Sequence, residues 1–163
     1  MATAESLATT ETINGKRYYN LGEGKKYPSV TTILGAMTDK SGIDKWRKRV
    51  GDKEADRISK FSANRGTVMH QFCEYFLGSE KETVRERLME AQTLIGPFVK
   101  ENGFTEAETN VGRKLFFNFY NNECFDRIAK VVSIEDTLHS PQMGGYAGRV
   151  DIIYENKKAH LVV

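Results

Sequence analysis

The strongest constraint in this sequence is a switch of hydrophobic period. In residues 66–77 the apolar side chains Met69, Phe72, Cys73, Phe76 and Leu77 fall at i, i+3, i+4, i+7 and i+8. That spacing lays one stripe along a helix and requires a partner surface to cover it. Beyond Ala129 the pattern becomes runs rich in β-branched and aromatic residues at 131–138, 146–154 and 159–163, separated by a Ser-Pro and Gly-rich turn at 140–145 and a polar turn at 155–158. A chain that is helical first and sheet-forming last must pack one layer on the other. We therefore expect an α+β fold, with a helical layer over about residues 29–100 against a mixed, mostly C-terminal sheet. The short turn at 155–158 predicts a hairpin for the last two strands.

Local signals divide the chain further. Residues 1–12 are small and polar and read as a loose leader. Lys16-Arg17-Tyr18-Tyr19 and the Gly/Lys turn at 22–26 predict a short opening hairpin, so residues 1–26 form a flexible leader and hairpin and 27–163 the main domain. Ser29, after Pro28 and before Val30-Thr31-Thr32-Ile33-Leu34, is placed to cap a helix running to about Met37. Further helices are expected at 42–50 around Trp46, at 53–61, at 66–77 and at 80–100, the last closing near Asn102-Gly103. Residues 111–128 fit either a helix or a strand over 114–120, and periodicity leaves both open.

Composition bounds the function classes. With 24 Lys and Arg against 22 Asp and Glu the net charge is +2, too small to imply nucleic acid by itself, so the distribution of charge must carry any such reading. Cys73 and Cys124 form no close pair of the kind that holds zinc or an iron–sulfur cluster, which predicts free thiols acting as small hydrophobes in a reducing compartment. No apolar run reaches the length of a bilayer and the first ten residues lack signal-peptide character, so a cytoplasmic location without membrane partners is expected.

Four features could carry chemistry. Asp151 sits inside the β-rich run GRVDIIY of residues 148–154, where a carboxylate faces solvent, a cation or a cleft, solvent being the commonest. His70 and Glu74 lie one helical turn apart beside the apolar stripe; such pairs are usually modest surface contacts, and the alternative is a neutral imidazole ligand with its tautomer fixed by a carboxylate. Glu135 lies in a strand, opposite in face to Ile134 if alternation holds. Lys45, Arg47, Lys48, Arg49, Lys53, Arg57, Lys60 and Arg65 cluster around Trp46. A run like this is ordinarily a solvated face, and its functional alternative is a phosphate-tracking surface. No GxxxxGK[ST] loop, HExxH helix or GxSxG elbow is present.

Taken in order, YPSVTTIL at 27–34, Trp46-Arg47, Gly51, Ala55, Ile58, RGTVMH at 65–70 with Glu74, Glu135 and GYAGRVD at 145–151 resemble the RecB-like branch of the PD-(D/E)XK nucleases. The similarity is strongest to phage and bacterial exonuclease members and to the mitochondrial genome maintenance exonuclease. This resemblance implies a restriction-endonuclease-like core and a magnesium (or manganese) site with His70 and Asp151 as ligands. It makes His70, Glu135 and Asp151 the catalytic set. It puts Ser29, Thr31, Arg47, Lys48 and Arg65 on the nucleic-acid side, the partner being DNA with a free end in a bacterial or phage-infected cell. In the family, the strand after this aspartate carries a D/E-x-K whose acid completes the metal site and whose lysine helps activate water. Here that stretch reads AHLVV at 159–163, so the core is expected to be incomplete at its C-terminus and the 163-residue chain inactive or impaired, the full-length protein being a magnesium-dependent DNA exonuclease. The alternative from another class is a non-catalytic nucleic-acid- or protein-binding module on the same fold. The two cysteines do not match the four-cysteine iron–sulfur framework of some relatives.

Overall fold

A computed structural model describes residues 8–22, 24–123 and 125–163; Cys124 and residues 1–7 of the expected leader lie outside them. The fold is α+β, in the order β1 (Thr9–Ile13), β2 (Lys16–Asn20), β3 (Lys26–Pro28), α1 (Val30–Met37), α2 (Ser41–Val50), α3 (Asp52–Leu77), α4 (Val84–Glu101), α5 (Glu106–Tyr120), β4 (Ile128–Ser140), β5 (Tyr146–Asn156) and β6 (Leu161–Val162). Two compact units result. The first holds the described residues through Ser41 together with Glu135–Ile152, and the second holds Gly42–Ile134 with Ile153–Val163. The division expected at residues 26 and 27 falls inside β3.

In the first unit β1, β2 and β3 form an antiparallel sheet. Thr9–Ile13 was expected to lie mostly in the leader, but its threonines suit a pleated strand and a tight turn brings it back onto β2. Asn14 and Gly15 both have positive φ, 51° and 74°, the backbone that a two-residue hairpin turn requires. Ser29 caps α1, its hydroxyl accepting from the Thr32 N–H at 3.0 Å. The paired strands of β1-β2-β3 and of β5-β6 are antiparallel, and one isolated parallel bridge links Ser29 to Ala147.

The second unit is built on α3, α4 and α5. Two helices expected at 53–61 and 66–77 are one helix of 26 residues. Gly66 costs such a helix only about 1 kcal/mol relative to alanine, less than burial of a single large side chain returns. Val68, Phe72 and Phe76 of α3 are buried with Ala91 and Ile95 of α4 and Phe116 of α5. The Phe72 and Phe116 rings lie 4.3 Å apart, and Phe76 meets Tyr120 edge-on at 5.6 Å. Half-buried Cys73 packs against this cluster. Helices α3 and α5 close on each other at Gly112, where an added Cβ would sit 2.6 Å from Val68 Cγ1 and 2.9 Å from the Arg65 carbonyl oxygen.

Capping boxes set the starts of α4 and α5. Thr83 and Glu86 exchange bonds at α4, which begins four residues later than expected, and Thr105 and Glu108 do so at α5. The second box settles 106–120 as helix. Strands β4, β5 and β6 are neighbours in that order, and the predicted final hairpin is present, pairing Tyr154 with Val162 and Glu155 with Leu161.

Candidate metal and nucleic-acid groups

In the first unit, β4 delivers Glu135 and β5 delivers Asp151. A carboxylate oxygen of each lies within 4.8 Å of the other. Glu135 has φ 54°, a left-handed conformation that is uncommon for a residue with a Cβ and costs on the order of 1–2 kcal/mol. It also suspends the alternation expected of the strand, since Ile134, Glu135 and Asp136 are all half-buried. Arg149, two residues before Asp151 and so on the same face of β5, holds this turn of backbone. Its Nε donates to the Glu135 carbonyl oxygen at 3.2 Å and lies 2.6 Å from Glu135 Oε2. Two carboxylates this close repel each other, and the Arg149 guanidinium offsets part of that repulsion. Arg149 is a participant that sequence reading passed over, although its place two residues from Asp151 in a strand was the available signal.

Ser29 and Thr31 come together as well, as part of a chain of hydroxyls. Thr32 Oγ1 accepts from the Arg17 N–H and donates to the Arg17 carbonyl, both at 3.1 Å. Ser29 Oγ donates to Thr32 Oγ1 at 2.9 Å, which leaves Thr31 as the donor in its 2.9 Å contact with Ser29 Oγ. Ser29 is only 2% exposed, and its hydroxyl is committed to capping α1 and fastening it to β2.

The remaining candidates lie in the second unit. His70 is exposed on α3. Glu74, one turn on, accepts from Gln71 Nε2 at 2.9 Å. Arg47 is forked between Asp52 at 3.1 Å and Asp56 at 2.8 Å, and the hydrogen bond it donates to Asp56 leads the causes that hold its guanidinium more basic than usual. Lys48 is exposed beside it, in a cleft of about 380 Å³ that also contains Asp44 and Asp52. Arg57 pairs with Glu54 at 2.7 Å. Arg65 is half-buried on α3. Much of the basic run is thus interleaved with carboxylates.

No family model matches the sequence, no curated protein matches it, and no solved structure matches the fold. No helix among the described residues is long and apolar enough to cross a membrane.

Proposed function

We propose that this chain carries the metal-binding part of a magnesium-dependent DNA exonuclease. The observation that supports this reading best is the Glu135–Asp151 carboxylate pair, held at a strained backbone position by Arg149. Two carboxylate oxygens suit magnesium, which prefers oxygen ligands and keeps several waters. We add His70 as a third ligand on the strength of the resemblance; an imidazole nitrogen suits manganese better than magnesium, so manganese is the more sensitive probe. A cation bound there would polarise a phosphoryl oxygen and acidify an attacking water. The chain's own contribution is to present the acids: Asp151 from a regular strand, and Glu135 from a backbone turn that Arg149 pins at both carbonyl and carboxylate.

The test has two arms. Manganese titration of the 163-residue chain, read by the loss of the free-ion paramagnetic resonance signal, should show a site that Asp151→Asn weakens by about tenfold or more, with smaller losses for Glu135→Gln and His70→Ala. Equal affinity in wild type and Asp151→Asn removes the reading. The second arm supplies a D/E-x-K strand after Asp151, which residues 159–163 do not carry, and measures magnesium-dependent shortening of free-ended DNA. Salt-sensitive DNA binding without cleavage in that arm would favour the non-catalytic binding module, a reading that the existing Arg149–Glu135 ion pair also suits.

A further inference from the structure

The groups assigned to nucleic acid by resemblance are largely occupied, which directs attention to cations that are not. A cleft of about 710 Å³ opens in the first unit between the β1–β2 turn and α1, and Lys16, Arg17 and Lys40 line it with Thr31, Gly15 and Gly35. Among the described residues no carboxylate lines it. The acids nearest in sequence are committed elsewhere: Glu11 pairs with Lys26 at 2.6 Å, and Asp39 accepts from the N–H and hydroxyl of Ser41. Among the described residues Lys16, Arg17 and Lys40 form no ion pair, and all three are exposed. The cleft around Lys48 is the contrast, since Asp44 and Asp52 share it.

The scaffold beneath these cations is fixed. Both backbone groups of Arg17 are tied to Thr32 Oγ1, and the Asn14-Gly15 turn sets the direction of Lys16. Gly15 and Gly35 leave the cleft open, because an added Cβ at either would meet no atom within 4 Å. Three cations on an open trough, with no carboxylate among the described residues lining it, match a ligand that carries regularly spaced negative charges and a narrow backbone.

We propose that this trough binds the phosphodiester backbone of a single nucleic-acid strand through Lys16, Arg17 and Lys40. Thr31 forms its wall and gives no hydrogen bond to phosphate, its one hydroxyl proton being used on Ser29. The assignment deepens the nuclease reading by naming the surface that holds the strand, and it borrows from that reading only the class of partner.

Fluorescence anisotropy with labelled 20-nucleotide single strands of DNA and of RNA, in EDTA and from 50 to 200 mM KCl, tests it without any metal. Lys16→Glu/Lys40→Glu should weaken binding by at least about tenfold and lower the salt slope by about 1.4, the release expected for two phosphate contacts on a single strand. Gly35→Glu should give a comparable loss by putting an acid in the open trough, with thermal melting confirming that the variant is folded. Parallel loss for DNA and RNA fits backbone recognition, and loss confined to one of them assigns the trough to that strand. The proposal is overturned if wild type binds neither strand, if the double variant keeps wild-type affinity and slope, or if polyglutamate competes as well as the oligonucleotides do. Manganese titration of the same variants separates the two readings. Retained metal affinity in variants that have lost strand binding supports both, whereas a wild type that binds the strand but no manganese, with strand binding lost in the double variant, sinks only the nuclease.

Discussion

The two units of this chain are held together by different forces. In the second, Val68, Phe72, Phe76, Ala91, Ile95 and Phe116 are out of water and touch one another across three helices. In the first, the buried residues among those described are Tyr19, Ser29, Gly145 and Ala147, and order comes from a positive-φ turn, a capping serine and a hydroxyl that serves two backbone groups of β2. Apolar burial is worth roughly 1.5–3 kcal/mol per large side chain, while a hydrogen bond nets about 1 kcal/mol because water competes for both partners. Glu135, Asp151 and the basic trough all belong to the unit with the smaller apolar core. A region organised by polar contacts can present charge to a ligand at little desolvation cost, and the aromatic core cannot.

Phe72→Ala should be the most damaging single change. It empties the centre of the α3–α4–α5 cluster, a fully buried ring in contact with Phe116 and Phe117, and truncations of this kind cost about 3–5 kcal/mol. Urea denaturation should register that loss, and native-state hydrogen exchange should locate it in α3 and α5. A loss below about 1 kcal/mol would mean that the helical core is looser than its burial implies, and the contrast between the units would fail.

Glu108→Gln probes the one buried carboxylate among the described residues of that helical unit, which is 6% exposed. Its Oε2 accepts from the Thr105 N–H and hydroxyl, both at 2.8 Å, and its Oε1 accepts from Asn64 Nδ2 at 2.8 Å, so it caps α5 and ties it to α3. The backbone N–H of Thr105, then its hydroxyl, hold the Glu108 carboxyl below its ordinary value of 4.5. A depressed folded-state value means that the charged form stabilises the fold fully above about pH 4.5 and loses that contribution as pH falls through the depressed value. The glutamine variant should be about 1.5 kcal/mol less stable at pH 7, in line with bonds to a charged acceptor, and should show a shallower acid limb in thermal melts from pH 7 to 3. Identical acid limbs in the two proteins would exclude Glu108 as a source of pH dependence.

What was legible in the sequence follows the same divide. The apolar stripe at Met69, Phe72, Cys73, Phe76 and Leu77 announced the central helix because burial leaves a 3.6-residue period in the residues themselves. The α+β class and the last hairpin were legible for the same reason. Thr105 and Glu108 could have decided the 111–128 ambiguity, since their spacing is that of a capping box; attention to periodicity alone missed it. The gap at 62–65 between two expected helices is closed by tertiary burial. The site was legible as residue types and only partly as geometry. Asp151 stood out as a carboxylate in an apolar run, whereas the left-handed backbone at Glu135, its clamp by Arg149 and the pairing of Arg47 with Asp52 and Asp56 depend on contacts that no local pattern encodes.

Ser29→Ala gives the smallest effect and tests the polar side of the comparison most directly. The hydroxyl accepts from Thr32 N–H, donates to Thr32 Oγ1 and receives the Thr31 proton, so its removal uncaps α1 and frees Thr31 and Thr32 to seek other partners. Loss of a serine cap costs about 1 kcal/mol, and hydrogen exchange should show it as faster opening of α1 and β2 with α3 and α5 unchanged. Because the variant also releases the Thr31 hydroxyl proton next to Lys16 and Lys40, strand affinity discriminates two roles. A serine that only caps lowers affinity by no more than the fraction of molecules with α1 frayed, and a loss as large as that from removing two lysines would mean that the capped α1 is itself required for the trough to hold a strand.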